Sequence, residues 1–292
     1  MNSINRLVEL SNKHTGKYSD KWSSYLEIYW NLFEPICDGE VDLLEIGIEN
    51  GGSLEIWAKL FPNAKNLIGV DNNPKCSDLI FNDSRIKVFV ENGSDLAARN
   101  LVRETTSNLG VVIDDGSHVS SDIIRSFLLF FPQLKPGGVY VIEDLHSSYW
   151  LEWEGGLRHP ESSMQFLKLL ADVLNFDHWG IVAQRVELFA LIDATKGFIE
   201  EQTLSEIESV LFMDSVCVIR KKPESRIGLG PRIGSGTEAK VTEAIRYSVG
   251  ENSIPPLQES NPFSTLSNPS VGWLESVKQQ NQKLTVERAE LT

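Results

Sequence analysis

Five short apolar runs recur from about residue 41 onward: VDLLEIGI, NLIGVD, IKVFV, LGVVIDD and GGVYVIED. Runs this short and this continuously apolar read as strands buried on both faces, as in a parallel sheet. Parallel neighbours need crossover connections, and helix-compatible stretches supply them. One covers residues 53–60 after the first run; another covers 122–131 after the fourth, with Ile123, Phe127 and Phe130 at helical spacing. The alternation predicts an α/β, doubly wound sheet. An aromatic segment, SSYWLEWEGGL, follows the fifth run, and an amphipathic helix is expected over about 164–174. Two further apolar segments, VELFALI and SVCVIRKKP, close the folded region near Pro223.

This pattern divides the 292 residues into an N-terminal helical cap segment (1–37), a principal domain (38–223), a flexible linker (224–270) and a C-terminal helix (271–292). The linker is rich in Gly, Pro, Ser and Asn, with only Tyr247 and Phe263 as aromatic residues over 224–270, so no independent core is expected there. In the last segment Leu274, Val277, Asn281, Leu284, Arg288 and Leu291 fall at alternating spacings of three and four, a heptad seam with polar residues at two core positions. It reads either as a short coiled coil that joins copies of the chain into a homo-oligomer or as a terminal helix docked on the surface.

Charge narrows the partners. Lys plus Arg number 27 against 41 Asp plus Glu, a net charge of −14, which disfavours nucleic acid and anionic membrane surfaces. The N-terminus, MNSINRLVELSNK, lacks the apolar core of a secretory signal, and the longest apolar run is too short to span a bilayer, so no membrane insertion is expected. The three cysteines, Cys37, Cys76 and Cys217, are odd in number and far apart, unlike a disulfide framework; a cytoplasmic location fits best.

The first run leads into Glu45-Ile-Gly47-Ile-Glu49-Asn-Gly51-Gly52. Glycines at a strand end let the backbone turn tightly so that a ligand can lie against the next helix start. A dinucleotide fingerprint needs a second glycine at position 49, where Glu49 carries the wrong charge for a pyrophosphate. The Gly-Lys-Ser/Thr ending of a phosphate-binding loop is also missing. A nucleoside ligand without phosphates remains, and Asp71 at the end of the second run is placed to accept hydrogen bonds from ribose hydroxyls. S-adenosylmethionine meets that description. Glu45, Gly47, Gly51, Asp71 and Asp114 are the candidate cofactor contacts; a plain strand-to-helix turn, with Asp71 and Asp114 capping loops, is the structural alternative.

The fourth run ends in Asp114-Asp115-Gly-Ser-His118 and the fifth in Glu143-Asp144-Leu-His146. In a doubly wound sheet with its switch between strands 1 and 4, both ends flank the glycine loop. Neighbouring strands lie about 4.8 Å apart, so Asp115, Glu143 and Asp144 can approach a common centre. Acids so crowded repel one another unless a cation binds or a pKa rises, and hard oxygen ligands suit Mg²⁺. His118, three residues beyond Asp115, is the candidate general base. His146 reads equally as a hydrogen-bonded scaffold residue.

LLEIGIENGGSLEIW, GVD, VVIDDGSH, LKPGGVYVIEDLHSSYW and FLKLLADVLN together resemble the class I, metal-dependent O-methyltransferases that modify sugar hydroxyls of macrolides and other natural products. Ser-Asp20-Lys21 and the stretch from Tyr25 to Tyr29 resemble an N-terminal motif of the same group. The resemblance covers roughly residues 12–222 and implies a Rossmann-like class I methyltransferase fold with S-adenosylmethionine as methyl donor and Mg²⁺ as cofactor. It implies Asp115, Glu143 and Asp144 as Mg²⁺ ligands, His118 as catalytic base, and Asp71 with the glycine loop as the cofactor site. A tail of about 70 residues replaces the large N-terminal auxiliary domain of some members, so their particular substrates do not carry over. The expected acceptor is a hydroxyl of a sugar-containing small molecule or glycan, with Tyr149, Trp150 and Trp153 available to stack on a sugar face or to pack beneath a lid. The alternatives are a catechol-type methyltransferase acting on an aromatic diol, which has less need of a dedicated base, and a non-catalytic component of a cell-surface polysaccharide complex. An iron hydroxylase is disfavoured, because the histidines do not pair with one carboxylate.

Overall fold

The structure is a computed structural model that describes residues 5–223, 229–244 and 256–266. Five strands run parallel: β1 (Asp42–Ile46), β2 (Leu67–Asp71), β3 (Ile86–Val90), β4 (Leu109–Asp114) and β5 (Val139–Ile142). β6 (Ile207–Met213) and β7 (Val216–Lys221) form an antiparallel hairpin, and β7 also pairs antiparallel with β5. The sheet order is β3-β2-β1-β4-β5-β7-β6, so the chain reverses its direction of travel between β1 and β4. The expected buried runs are strands, and β1 and β4 are buried along their whole length.

The end of the domain departs from the sequence expectation. The first four residues of VELFALI belong to a 3-10 turn, Arg185–Phe189, and the outer partner of β7 is the strand Ile207–Met213. That strand lies at the sheet edge with Leu211 and Phe212 half exposed. Its sequence, IESVLFM, carries five apolar residues in seven, more than an alternating edge strand requires.

Helices cover both faces. On one face α1 (Arg6–Asn12), α2 (Ser23–Phe33) and α3 (Gly52–Leu60) pack over Leu43, Val111, Ile113, Val139 and Val141. α2 buries Tyr25, Tyr29, Leu32 and Phe33, which fall on one stripe of the helix. Tyr29 stacks on Phe33 at 5.2 Å, and both meet Trp57 of α3 edge-on at 5.3 and 5.9 Å. Each such side chain contributes on the order of 1.5–3 kcal/mol by leaving water, which fixes α2 against the sheet. The other face carries α4 (Leu96–Thr105), α5 (Ser120–Phe130) and α6 (Ser163–Leu174). There Phe127 contacts Phe131, Tyr140 and Phe166 at 4.9, 5.3 and 5.8 Å. Val139 and Val141 point to the first face and Tyr140 to the second, the period of two that a strand imposes.

The chain separates into two compact units, residues 1–174 with 189–226, and 175–188 with 227–292. The boundaries differ from the expected 38–223 block: the N-terminal helices share the unit of the sheet, and 175–188 group with the tail. Within the second unit the Arg185 guanidinium lies 3.7 Å over the Phe176 ring, and the Gln258 amide donates to the Gly180 carbonyl at 2.7 Å. Its described residues beyond 188 form no α-helix or strand. The heptad segment expected over 271–292 lies outside the described residues. All three cysteines are buried free thiols, and among the described residues no helix is long and apolar enough to cross a membrane.

Candidate active site

Register levels the strand ends. Ile46 pairs with Asp114 and Asp114 with Ile142, so Gly47, Asp115 and Glu143 leave the sheet side by side. The Asp115 amide donates to Ile46 O and the Glu143 amide to Asp114 O, both at 2.9 Å. Gly47 has φ +82°, and a Cβ there would lie 2.0 Å from the Asp115 carbonyl oxygen, so only glycine lets the two exits cross this closely.

One cleft on this face is lined by Gly47, Asp71, Asn92, Ser94, Asp114 and Asp122, among others. Asp71 Oδ2 accepts from the Ile48 and Glu49 amides at 2.9 Å each, and Oδ1 from the Asn73 amide at 2.8 Å. The carboxylate therefore braces the glycine loop through Oδ2 while opening on the cleft, and Oδ1, with one bond from Asn73, keeps a second lone pair for a ligand. Asp114 is buried and accepts from Tyr140 Oη at 3.0 Å; burial pushes its carboxyl up to about 7. Asp122 accepts from Ser94 Oγ and Ser117 Oγ, at 2.7 Å each. Asn92, Ser94 and Asp122 escaped the sequence reading because no short motif marks them; only the fold brings them to Asp71.

Two expected cofactor contacts are placed differently. Gly51, with φ +78°, caps the start of α3 and lines neither this cleft nor the next. Glu45 is fully buried beneath the strand ends, accepts from Ser53 Oγ at 2.6 Å, and likewise opens on neither cleft. Burial raises its carboxyl above the ordinary range against the pull of Lys21.

The second cleft, of about 500 Å³, brings together Asp71, Asp115, His118, Glu143 and Asp144 with Lys21 and Trp22. Loop residues 13–21 reach it by docking on the start of α3. The Gly52 amide donates to Tyr18 O at 3.2 Å, and a Cβ on Gly52 would stand 2.3 Å from the Lys17 and Tyr18 carbonyl oxygens. Lys21 Nζ then lies 2.5 Å from Asp115 Oδ2, 2.7 Å from Glu143 Oε1 and 3.7 Å from Glu45 Oε1. Burial alone would lower its pKa, but these three carboxylates outweigh it and hold the ammonium charged. Tyr29 Oη donates to Glu143 Oε1, while Tyr25 Oη and Trp22 Nε1 donate to Asp144 Oδ1 at 2.7 and 3.2 Å. Burial, reinforced by Asp115, pushes Glu143 up to about 8 against Lys21 and Tyr29. The sequence marks positions 20–29 only as part of a motif. Lys21 meets partners 94 and 122 residues away, and nothing local announces that contact.

His118 Nε2 lies 3.9 Å from Asp115 Oδ1 and 3.8 Å from Asp144 Oδ2. His146 also stands 3.9 Å from Asp144, through Nδ1, but that nitrogen is 2.6 Å from Ser215 Oγ, its ring packs edge-on against Trp150, and it does not line the cleft. Of the five non-glycine residues with positive φ among the described residues, three line this cleft: Glu49, His118 and Asp144. Each costs on the order of 1 kcal/mol or more, strain of the kind that gathers where a fold aims side chains at a ligand.

Asp115, His118 and Asp144 each bring one ligand atom within 4.8 Å of the others. This triad differs from the expected Asp115, Glu143 and Asp144, because Lys21 and Tyr29 hold Glu143 Oε1. The donors still fit a hard divalent cation. Asp115 and Asp144 face one another across the cleft, four more carboxylates line it, and Lys21 is the one lysine among its lining residues.

Residues 44–145 match the family model described as a methyltransferase domain. The chain is 35% identical over 167 residues to the 8-demethyl-8-alpha-L-rhamnosyl tetracenomycin-C 2'-O-methyltransferase of Streptomyces olivaceus, covering 54% of this chain and 43% of that protein. It is 32% identical over 157 residues to the mycinamicin VI 2''-O-methyltransferase of Micromonospora griseorubida, covering 50% and 38%. The chain thus spans less than half the length of these two relatives. Among solved structures, the MycE methyltransferase from the mycinamycin biosynthetic pathway, in complex with Mg and SAH, superposes with a TM-score of 0.61. It is 24% identical and covers 76% of this chain and 56% of that one, a likeness of fold. From the first strand to the second acidic strand end, the chain matches a methyltransferase domain, and its fold is the Rossmann-like class I methyltransferase fold.

Proposed function

We propose that the chain transfers the methyl group of S-adenosylmethionine, with the assistance of Mg²⁺, to a hydroxyl of a sugar on a glycosylated natural product or glycan. The observation that carries this reading is the convergence, in one cleft beside the Gly47–Asp71 loop, of His118 with Asp115, Glu143 and Asp144. The sugar acceptors named for the two relatives point the same way. Three buried free thiols support a reducing cytoplasm as its place, and the heptad spacing over 271–292 supports self-association there.

Asp71, through the lone pair left on Oδ1, holds the nucleoside against the glycine loop that its Oδ2 braces. An alcohol is a weak nucleophile at neutral pH, so its proton must leave as the methyl arrives. His118 Nε2 takes that proton; the C–S bond of the sulfonium breaks as the O–C bond forms, and neutral S-adenosylhomocysteine departs. The nearby Asp115 and Asp144 carboxylates stabilise the imidazolium that results. Asp115, Glu143 and Asp144 are the residues that would hold Mg²⁺, which when bound lowers the pKa of an oxygen it contacts. Hard cations prefer oxygen to imidazole, and that preference leaves His118 free as the base. Lys21, Tyr25 and Tyr29 fix the carboxylates in place.

The test incubates the full chain with methyl-labelled S-adenosylmethionine and a panel of methyl glycosides, with catechol alongside, in Mg²⁺ or in excess chelator. Label should enter a glycoside in Mg²⁺ and fall to background in chelator. Label in catechol alone would replace the sugar with an aromatic diol. Absence of S-adenosylmethionine binding by calorimetry would favour the non-catalytic partner.

A further inference from the structure

We propose that Trp22, with Trp150 beyond it, is the platform on which the apolar face of the acceptor's pyranose ring stacks; this rests on the sugar-acceptor reading above. Trp22 is 62% exposed, an unusual state for the largest apolar side chain. It is nonetheless fixed: its Nε1–H donates to Asp144 Oδ1 at 3.2 Å, and the Asp144 carboxylate is also held by Tyr25. The indole therefore stands at a set position on the wall of the cleft that contains His118 and the acidic cluster. An aromatic row continues outward from it. Trp22 meets His146 edge-on at 6.4 Å, His146 meets Trp150 at 5.0 Å, and Trp150 meets Trp153 at 5.5 Å. Trp150 and Tyr149 are 48% and 41% exposed.

The opposite character of the cleft selects the occupant. Beyond the carboxylates given to the nucleoside and the cation, Asp20 and Glu49 line it as acceptors for hydroxyl donors. A ligand that satisfies both surfaces has a flat apolar face and an edge rich in hydroxyls. A pyranose has both, whereas an aromatic diol carries only two hydroxyls for the cation and these acceptors together. A preformed aromatic wall also costs little ordering entropy on binding.

The experiment compares Trp22→Phe, Trp22→Ala and Trp150→Ala in the full chain, with Mg²⁺ and S-adenosylhomocysteine present. Binding of methyl α-L-rhamnopyranoside is titrated by saturation-transfer NMR, and KM and kcat are measured for the glycoside that the wild type methylates best. Trp22→Ala should weaken the glycoside about tenfold in Kd and KM, with S-adenosylhomocysteine affinity unchanged. Trp22→Phe, which keeps a ring but loses the N–H to Asp144, should stay within about threefold of wild type. Trp150→Ala should weaken the glycoside by less than Trp22→Ala. Phe as impaired as Ala would make the N–H bond the role of Trp22 and overturn the platform. Wild-type affinity in both alanine variants would overturn it while leaving sugar methylation standing. A wild type that methylates catechol and no glycoside would overturn the sugar reading, and the platform with it.

Discussion

Replacing Lys21 by methionine keeps the length of the side chain and removes its charge from a nearly closed site. The ammonium is 8% exposed and touches Asp115 and Glu143 at 2.5 and 2.7 Å, with Glu45 at 3.7 Å. Removing one partner of a buried ionic cluster typically costs about 3–5 kcal/mol, because the remaining charges stay desolvated. Glu143 is already pushed up to about 8, so at pH 7 it can take a proton and relieve part of the loss. The expected cost is therefore at the lower end, about 3 kcal/mol, or a fall of about 6–12 °C in Tm for a domain of this size. The pH dependence has a definite sign. A carboxyl whose folded pKa is raised contributes stability that is lost as pH rises through that pKa. Without Lys21 the Glu143 pKa rises further, so the deficit should be smallest near pH 5 and widen toward pH 9. Mg²⁺, added to both proteins, should recover more stability in the variant, since a cation that binds only the folded state replaces the missing charge. Thermal melts of wild type and Lys21→Met from pH 5 to 9, with and without Mg²⁺, read all three effects. A variant that melts within 2 °C of wild type across that range would refute the idea that Lys21 holds the acidic cluster together.

Asp71→Ala should weaken S-adenosylmethionine by roughly 1.5–3 kcal/mol for each charge-assisted hydrogen bond lost, and should loosen the 48–49 amides it now caps. Unchanged affinity by calorimetry in a folded variant would remove Asp71 from the cofactor site. Asp42 is buried, but hydrogen bonds from Asn66, Thr106 and Lys65 outweigh burial and hold its carboxyl below the ordinary carboxylate range. A lowered pKa stabilises the fold above the unfolded value and loses that contribution as pH falls below it. Asp42→Asn should therefore cost about 2–3 kcal/mol in urea unfolding at pH 7 and less near pH 3, and a deficit that does not shrink at low pH would contradict this.

The alternation of apolar runs with helices made the sheet legible, because strands buried on both faces have little freedom in sequence. The acidic strand ends were legible for a related reason. Asp115 and Glu143 each follow a run directly, and the register of β1, β4 and β5 sets them side by side. What stayed hidden depends on contacts far apart in the chain. Lys21 enters the site only because Gly52 admits the loop at residues 17–18 to the start of α3. Glu45 sits one strand residue too deep to open on a ligand, a distinction that a motif cannot make. β6 is apolar enough to read as a strand, five residues of seven in IESVLFM, but its antiparallel pairing with β7 is a contact that neither run announces by itself.

The central claim is that His118 moves the proton in a methyl transfer and that the acids beside it do not depend on it for their own positions. His118→Ala, assayed in single turnovers with labelled S-adenosylmethionine, Mg²⁺ and the glycoside that the wild type methylates, separates binding from chemistry. The variant should keep its cofactor and cation affinity, fall in rate by about 100-fold to 10,000-fold, and recover in part on adding free imidazole. A variant that transfers methyl at close to the wild-type rate would contradict the claim.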